Sequence, residues 1–396
     1  MFDLRNEGPP SGACAGEPAE PALACRTHGA ARLEALVKAE AARAPFAGLL
    51  RLRRLHVRAG GSPPKVVACV PVRDEADDLP QSLEALGNSL DAVQAPAAAV
   101  IVVNNSSDAS AGIAARWAEG CAMASVVCSV SLAPRIADVG HARRFALQCG
   151  AALGARGAVL LSTDADTIVS LTWAGALEAA VRAGAAAAYG PLRTPEEMRG
   201  KAGPAARIAR VESALGRVQA RLWAQIAPGR VQSAGLLVGG ANLAMCATRY
   251  RAVGGLPPLP VSEDRAMVRA MLRSRQAVVF AERARVTTSL RMTGRVRGGM
   301  ADTLRARAGG EDLCDPALLP TRAFALTALA ARLERPSSGE PACPRPEEEE
   351  RLRLHEAEEE LAIALSLSDA LAVEAVGASQ EPFASRLHFH LERLDA

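Results

Sequence analysis

The fold follows from an uninterrupted apolar stretch, VVACVPV at residues 66–72, which ends in the polar residues Arg73, Asp74 and Glu75. A Val-rich run without polar alternation is typical of a strand that is buried on both faces of a parallel sheet. Similar apolar runs recur at residues 99–103, 125–130 and 159–162. Apolar residues at helical spacing fill the intervals, at residues 79–90, 110–118 and 140–154. Strands that alternate with helices predict an α/β fold, with a mostly parallel sheet flanked by helices.

Composition excludes several classes of protein. The chain has 396 residues, of which 49% are hydrophobic and 22% charged, and its net charge is +3. These values are typical of a globular protein and exclude a disordered one. A near-neutral charge and 3% aromatic residues argue against nucleic-acid binding. No run reaches the roughly 18 apolar residues of a membrane span, and the polar N-terminus lacks the core of a signal peptide. We therefore expect a cytoplasmic protein with no transmembrane segment.

The nine cysteines are scattered without a Cys-x-x-Cys pair. An odd number of cysteines in a chain without an export signal indicates reduced thiols. The six histidines do not pair with cysteines at the spacing of zinc ligands. The sequence therefore predicts neither a disulfide framework nor a zinc site.

Shifts in composition divide the chain into three parts. Residues 1–62 are expected to form a flexible tail and an N-terminal helix, which the apolar spacing places at residues 31–50. The basic segment 51–58 is interpreted as a solvated helix face, with contact to a membrane surface or an anionic partner as the alternative. Residues 63–310 would form the main α/β domain. Residues 311–396 would form a helical C-terminal extension, with a Pro-rich linker at about residues 336–346.

The strongest chemical signal is Asp164-Ala165-Asp166, which directly follows the apolar run at residues 159–162. Ligands of such sheets bind at the carboxyl ends of the strands. Two carboxylates there suit a hard divalent cation that bridges phosphates. The structural alternative is a loop that only caps the next helix, since Thr163 and Asp164 are both good N-caps.

Four further motifs have both a functional and a structural interpretation. The polar cluster that runs from Asn104 to Asp108 could bind a base edge or a ribose, or it could form a turn. Glu263-Asp264 could present a general base, or it could cap a helix. The small-residue turn Gly239-Gly240-Ala241-Asn242 would let a ligand approach the backbone closely. Arg291 and Arg295 could clamp a phosphate or could be ordinary solvated side chains.

Taken in order, these motifs resemble those of the family 2 glycosyltransferases, which are inverting sugar transferases with the Rossmann-like GT-A fold. The resemblance covers about residues 65 to 300 and comes from six segments in the family's order. They are VPVRDEA at residues 70–76, VVNNSSD at residues 102–108, Gly140-x-Ala142-Arg143, LLSTDAD at residues 160–166, Gly239-Gly240-Ala241-Asn242 and Glu263-Asp264.

The resemblance implies a hexosyltransferase-like enzyme that moves a sugar from a nucleotide-diphosphate sugar to a hydroxyl acceptor in a single displacement. It implies Mg²⁺ or Mn²⁺ at Asp166 and Asp164, and a catalytic pair, Glu263 and Asp264, of which Asp264 is the base. The implied donor-binding residues are Pro71, Arg73, Glu75, Asn104, Asp108, Arg143, Asp164, Ala165 and Asp166. The acceptor would contact Gly240, Ala241 and Asn242, and the diphosphate would contact Arg291 and Arg295.

Two departures from the family's pattern limit these expectations. Asn104 stands where the family often has Asp, and an amide oxygen accepts a hydrogen bond from a uracil N3–H more weakly than a carboxylate does. The base and the sugar of the donor therefore stay open. The Gln-x-x-Arg-Trp motif of processive synthases is absent from the sequence, so we expect a single-addition enzyme. Its acceptor could be a small molecule, a glycan or a lipid-linked compound, and the oligomeric state is open.

Two other classes of protein compete with this interpretation. A haloacid dehalogenase-type phosphatase would use Asp164 as nucleophile and Asp166 as general acid. That family needs a later Lys and a second acidic motif, but the sequence has Lys only at positions 38, 65 and 201. A non-catalytic protein that binds a nucleotide sugar is the other alternative. The presence of both Asp166 and Asp264 argues against it, because decayed sites usually lose their charged groups.

Overall fold

The structure, a computed structural model, describes residues 29–193, 203–289, 300–333, 351–376 and 382–393. Its strands are β1 (Leu50–Arg58), β2 (Val66–Val72), β3 (Ala97–Asn104), β4 (Ala124–Leu132), β5 (Val159–Ser162), β6 (Thr167–Val169), β7 (Ala187–Tyr189), β8 (Leu192–Arg193), β9 (Leu243–Cys246), β10 (Val278–Phe280) and β11 (Val286–Thr288). Its helices are α1 (Ala30–Ala41), α2 (Leu79–Asp91), α3 (Ser110–Gly120), α4 (Val139–Leu153), α5 (Trp173–Arg182), α6 (Pro204–Ile226), α7 (Ala247–Ala252), α8 (Glu263–Arg273), α9 (Met300–Ala308), α10 (Thr321–Leu333), α11 (Leu354–Val376) and α12 (Phe383–Arg393).

A central sheet of eight strands organises the fold, in the order β1-β4-β3-β2-β5-β9-β7-β10. Strands β4, β3, β2 and β5 are parallel to one another, whereas β9 runs antiparallel to both of its neighbours. A small second sheet has the order β6-β11-β8. The predicted α/β fold, with a mostly parallel sheet flanked by helices, is confirmed.

Alternation along the buried strands creates one apolar core on each side of the sheet. Val67 and Cys69 of β2 belong to a core that includes residues of α1, α4 and α8. Val66, Ala68 and Val70 of the same strand belong to the opposite core, with residues of α2, α3 and α5. Successive side chains of a strand point to opposite faces, so an all-apolar strand supplies both cores at once. This double burial fixes the sheet, and with it the position of the loops at its carboxyl edge.

The N-terminal prediction is wrong from residue 42 onward. The helix expected at residues 31–50 ends at Ala41, and the basic segment 51–58 is not a helix face but part of the edge strand β1, antiparallel to β4. Leu50, Leu52, Leu55 and Val57 pack against the core while the arginines stay exposed. The register shifts between Leu52 and Arg54, and this irregularity hides the two-residue alternation in the sequence. Charged side chains on an edge strand discourage pairing with another chain.

A third apolar core lies among the helices toward the C-terminus. It joins α6 to α10, α11 and α12 through residues such as Leu215, Leu222, Phe324, Leu367 and Leu387. The helical character expected of the C-terminal part is confirmed, whereas the division into domains at residues 62 and 310 stays a prediction. Residues 1–28 of the tail expected at residues 1 to about 30, and the linker expected at about residues 336–346, lie outside the described residues. In the described part of the chain, no helix has the length and apolarity that a membrane crossing requires.

Candidate active site

The loops that follow β2 and β3 are tied together at the carboxyl edge of the sheet. The backbone N–H of Asp74 donates to Ser106 Oγ (3.0 Å), and the N–H of Ser107 donates to Asp74 Oδ1 (2.7 Å). Asp74 and Asn105 both have positive φ, 50° and 51°. Asn105 holds this conformation by exchanging two hydrogen bonds with the backbone of Leu132, at 3.0 and 2.9 Å. The polar cluster predicted after β3 is therefore a turn that is pinned to the loop after β2.

Asp108 adds a second tie between these loops. Its carboxylate accepts hydrogen bonds from the N–H groups of Ala76 (2.9 Å) and Ser110 (3.0 Å). Burial raises the pKa of the Asp108 carboxyl, but the hydrogen bonds from Ser110 and Ala76 together outweigh burial and lower it. The N–H of Glu75 donates to Ser110 Oγ (2.9 Å). Asp108 thus stays ionised while it holds the two loops together.

Three other predicted donor-binding residues lie at this end of the sheet. Pro71 and Asn104 are buried near the ends of β2 and β3. Arg73 is half-buried, and its guanidinium donates to the carbonyl oxygen of Ala137 (3.1 Å), in the segment that leads into α4. The predicted donor-binding residues Pro71, Arg73 and Asn104 therefore all lie at one edge of the sheet, where the parallel strands β2 and β3 end.

Arg143, in the first turns of α4, is the centre of a second network. Its Nε donates to Glu263 Oε1 (3.0 Å) and its Nη2 to Asp164 Oδ1 (2.7 Å). Its Nη1 donates to Ser162 Oγ (2.9 Å) and to the carbonyl oxygen of Gly240 (3.0 Å). Only 4% of its side chain is exposed. One buried guanidinium thus connects β5, the loop after it, the turn before β9 and the start of α8.

Burial and ion pairing have opposite effects on the pKa values of Arg143 and Glu263. Burial acts to lower the pKa of Arg143, but Asp164 and Glu263 raise this pKa by more than burial lowers it, so the guanidinium stays protonated. For Glu263 the balance differs: burial raises the pKa of the carboxyl, Arg143 opposes that shift, and nearby Asp264 adds to it. Burial of charge is costly unless it is paired and hydrogen-bonded, and here each partner supplies the pairing for the other.

The Asp164-Ala165-Asp166 segment leaves the sheet directly after β5. Both carboxylate residues are half-buried, whereas Ala165 between them is buried in the core beneath. The hydroxyl oxygen of Thr163 is buried without a hydrogen-bond partner in the described part of the chain. Among the described residues, no group of three or more His, Cys, Asp or Glu side chains could hold a metal ion.

Asp264 lies in the first turn of α8, after Ser262 in a left-handed conformation (φ 58°). Its Oδ2 accepts a hydrogen bond from the N–H of Gly240 (2.6 Å), and its Oδ1 accepts one from the N–H of Arg265 (2.6 Å). The side chain is half-buried. Asp264 is therefore held in a fixed position on a rigid element, against the turn that also contacts Arg143.

The turn at residues 239–242 is packed too tightly to admit a side chain at Gly240. A Cβ on Gly240 would lie 2.7 Å from Arg143 Cζ. Asn242 is buried; its Oδ1 accepts from Trp173 Nε1 (2.9 Å), and its Nδ2 donates to the carbonyl oxygen of Ala284 (2.7 Å). These bonds fix the turn against α5 and the loop before β11. The acceptor-binding role of Gly240, Ala241 and Asn242 stays a prediction.

The structure therefore joins Arg143, Asp164, Gly240, Glu263 and Asp264 in one bonded network. Sequence reasoning missed Ser162, whose hydroxyl donates to Gly240 O (2.8 Å) and accepts from Arg143. A polar residue at the end of an apolar strand was the available signal. Arg291 and Arg295, the predicted diphosphate clamp, lie outside the described residues.

No protein-family model matches the chain, and no curated protein sequence matches it either. Among solved structures, it is similar to the mannosyltransferase PcManGT from Pyrobaculum calidifontis, in complex with GDP-Man and Mn²⁺, at 17% identity over 92% of each chain with a TM-score of 0.42. It is similar to S. aureus TarS 1-349 at 14% identity over 68% of this chain and 70% of that one, with a TM-score of 0.42. It is also similar to glucosyl-3-phosphoglycerate synthase from Mycobacterium tuberculosis at 13% identity over 72% and 81% of the chains, with a TM-score of 0.35. These likenesses are too distant to carry an assignment of substrate or residue role.

Proposed function

We propose that this chain is an inverting, single-addition glycosyltransferase of the GT-A type, which transfers a sugar from a nucleotide-diphosphate sugar to a hydroxyl acceptor. One observation carries the proposal. The buried Arg143 pairs with Asp164 of the loop after β5 and with Glu263 beside Asp264. The same guanidinium also donates to Gly240 O, while Gly240 N–H donates to Asp264. Asp164, the carboxylate expected near the diphosphate, and Asp264, the candidate base, are thereby held on one rigid frame. Transfer between two bound molecules requires such fixed positions.

The paired loops after β2 and β3 are the proposed site of the nucleotide. Backbone and short polar side chains at the carboxyl ends of parallel strands suit a base and a ribose. Asp74, Ser107 and Asp108 fix these loops before any ligand arrives. Preformed sites of this kind lower the cost of ordering on binding.

Asp164 and Asp166 would hold a divalent cation. Both supply hard oxygen ligands, and Mg²⁺ is usually bound through one or two carboxylates together with substrate phosphates. That mode fits a loop at which the described residues offer no group of three ligands. When bound, Mg²⁺ or Mn²⁺ offsets the negative charge that develops on the leaving diphosphate. The buried hydroxyl of Thr163, which has no partner in the described part of the chain, adds a further oxygen next to this loop.

In the proposed displacement, the acceptor hydroxyl oxygen forms a bond to the anomeric carbon from the face opposite the diphosphate. The bond from that carbon to the diphosphate oxygen breaks, and its electron pair leaves with the nucleoside diphosphate. Asp264 takes the hydroxyl proton on Oδ1 or Oδ2 as general base. The ion pair of Glu263 with Arg143 holds the start of α8 and so positions Asp264. Arg291 and Arg295 remain the predicted clamp that closes over the diphosphate and excludes water.

The test combines nucleotide binding with a substitution of the base. Thermal unfolding is measured with UDP, GDP, dTDP and CDP, each with and without Mn²⁺, because a ligand that binds only the folded state raises the Tm. We expect a Mn²⁺-dependent rise with one nucleotide, which also identifies the donor base that Asn104 leaves open. The matching nucleotide sugar is then incubated with protein, and slow release of free sugar to water is measured.

Asp264→Asn should retain the nucleotide-dependent rise in Tm but lower the rate of sugar release by about 10²- to 10⁴-fold. Asp91→Asn is the matched control, because Asp91 is exposed at the end of α2, outside the proposed nucleotide site. An absence of any nucleotide effect would overturn the proposal. Nucleotide binding without sugar release above background from either protein would favour a non-catalytic binding protein instead, and equal release from both would overturn the role of Asp264 as the base.

A further inference from the structure

A cavity of about 180 Å³ lies beside the candidate active site. It is formed by the segment from Tyr189 to Leu192, one face of α6, the residues before the 239–242 turn, and residues of α9. Much of its wall is apolar: Tyr189, Pro191, Leu237, Val238, Phe280 and Leu304 all line it. The rings of Tyr189 and Phe280 meet edge to face, with their centroids 5.3 Å apart. This wall suits a ring or a short hydrocarbon body.

Four of the five charged side chains that line the cavity form two ion pairs. Arg307 pairs with Glu212 at 2.5 Å, and Arg265 pairs with Asp315 at 2.5 Å. Glu212 also accepts a hydrogen bond from the N–H of Asp315 (2.7 Å), which closes the network. Arg217, at the exposed side of the cavity, donates to Ser213 (2.9 Å). Because Arg265 and Arg307 already face carboxylates, a phosphorylated ligand, which binds best to uncompensated cations, would find only the exposed Arg217.

One donor in this network is still available. The Nε of Arg307 is buried and has no hydrogen-bond partner among the described residues. Arg307 lines the cavity, so a hydroxyl or ether oxygen on an otherwise apolar ligand would satisfy this atom once the side chain turns it toward the ligand. A sugar ring, by contrast, brings several hydroxyl groups, and the apolar wall would leave most of them without partners at a cost in binding.

The cavity adjoins the candidate base. Gly239 lines it, and the next residue, Gly240, donates its N–H to Asp264. Arg265 lines it as well and directly follows Asp264 in α8. A molecule seated in the cavity would therefore lie close to the carboxylate that is expected to remove the acceptor proton.

We propose that this cavity is the acceptor pocket and that the acceptor is an uncharged alcohol or phenol built on one aromatic or alicyclic ring. The proposal rests on the function proposed above and narrows its acceptor to one chemical class. The volume sets the size of the part that is seated in the cavity: an apolar cavity of roughly 150 Å³ is known to hold benzene, so 180 Å³ accepts a single substituted ring.

Binding is tested by isothermal titration calorimetry on the full chain. The ring probes are benzyl alcohol, 4-methylphenol and cyclohexylmethanol, and the comparison probes are glycerol 3-phosphate and methyl mannoside. Ala209→Phe fills the cavity, because Ala209 lines it from α6. The matched control is Ala224→Phe, the same change at an exposed position of the same helix. Ala209→Leu, a smaller filling change, replaces Ala209→Phe if the latter does not unfold cooperatively.

We expect saturable binding of the ring probes to the unmodified protein and to Ala224→Phe, and at least a tenfold loss of affinity in the Ala209 variant. Saturable binding of glycerol 3-phosphate or methyl mannoside, without binding of the ring probes, would overturn the proposal. Equal affinity of the ring probes for the Ala209 variant would also overturn it, because the ligand would then lie elsewhere.

The nucleotide measurements separate this proposal from the proposed function. The Mn²⁺-dependent effect of the nucleotide on Tm should be the same in the unmodified protein and in both alanine variants. If no nucleotide has an effect while the ring probes bind, the proposed transferase function is wrong. The cavity would then still be a binding site for uncharged ring compounds, but not an acceptor pocket. If a nucleotide binds and the ring probes do not, only the acceptor class fails.

Discussion

The guanidinium of Arg143 lies between two carboxylates, 2.7 Å from Asp164 Oδ1 and 3.0 Å from Glu263 Oε1. Arg143 and Glu263 are 4% and 6% exposed as side chains, whereas Asp164 is 34% exposed. The buried pair of Arg143 and Glu263 forms the rigid floor of the site. The more exposed Asp164 keeps part of its carboxylate toward solvent. The loop after β5 and the start of α8 therefore depend on the same positive charge.

Removal of that charge should destabilise the whole protein. In Arg143→Met, Glu263 and Asp164 would face each other without compensation, and breaking a buried pair costs about 3–5 kcal/mol. Urea unfolding measures the loss. Arg182→Met is the control, because Arg182 is 49% exposed and pairs with Glu178 on the surface of α5, where such pairs contribute at most about 1 kcal/mol. Equal losses in the two variants would contradict the central role of Arg143.

The 239–242 turn offers a steric test with a neighbouring control. A methyl group at Gly240 would lie 2.7 Å from Arg143 Cζ, whereas one at Gly239 would lie 3.8 Å from its nearest neighbour, Leu192 Cδ1. We expect Gly240→Ala to lower the free energy of unfolding by about 1–3 kcal/mol, as overpacking does, and to weaken sugar release by displacing Asp264. Gly239→Ala should stay within about 1 kcal/mol of the unmodified protein. A more damaging effect at Gly239 would show that the packing described at Gly240 does not limit the turn.

The local sequence was sufficient to predict the strands that are buried on both faces. Strands β2 and β5 have the predicted bounds, Val66–Val72 and Val159–Ser162, because an apolar run between polar residues has only one place in such a sheet. Strand β1 was mistaken for a helix face, since its register shift breaks the alternation of Leu and Arg. An edge strand buries only one side, so apolar and polar residues should alternate along it. In β1 this alternation is visible only when the register shift is taken into account.

The site was predictable only in part. Its residues follow strand ends, and parallel strands bring such ends to one edge. The bonds among them depend on long-range packing: Arg143 and Glu263 are separated by 120 positions, and Arg143 and Gly240 by 97. Nothing in the local sequence of α4 indicates which carboxylates its Arg will meet. The same holds for the cavity beside the site, whose wall combines strand, loop and helix residues distant in the chain.

Asp108 should be required for nucleotide binding more than for folding. Asp108→Ala removes the acceptor for the N–H groups of Ala76 and Ser110. The residue is exposed, so water can replace these bonds, and we expect a loss of about 1 kcal/mol in stability. The loop after β2 would lose its anchor, and the nucleotide-dependent rise in Tm should shrink. Asp91→Ala, at an exposed position at the end of α2, is the control and should leave the rise unchanged. A full rise in Asp108→Ala would separate these loops from the nucleotide site.

Glu40 should make the stability of the protein depend on pH. It is buried in α1, where its Oε1 accepts a hydrogen bond from Arg43 (2.7 Å). Burial raises the pKa of the Glu40 carboxyl above its ordinary value of 4.5, although Arg43 and Arg251 oppose the shift. The folded state therefore holds this proton more tightly than the unfolded state. The resulting contribution to stability is complete below the unfolded pKa and is lost as the pH rises through the folded pKa.

Glu40→Gln tests this linkage, because glutamine is a neutral side chain that can still accept the hydrogen bond from Arg43. Urea unfolding is measured from about pH 4 to about pH 7. We expect the variant to gain stability relative to the unmodified protein as the pH rises, because it has no proton to lose. Glu34→Gln, at a partly exposed position of the same helix, corrects for the loss of one surface carboxylate. A difference that shrinks with rising pH would mean that Arg43 and Arg251 outweigh burial, with the pKa of Glu40 lowered in the folded state.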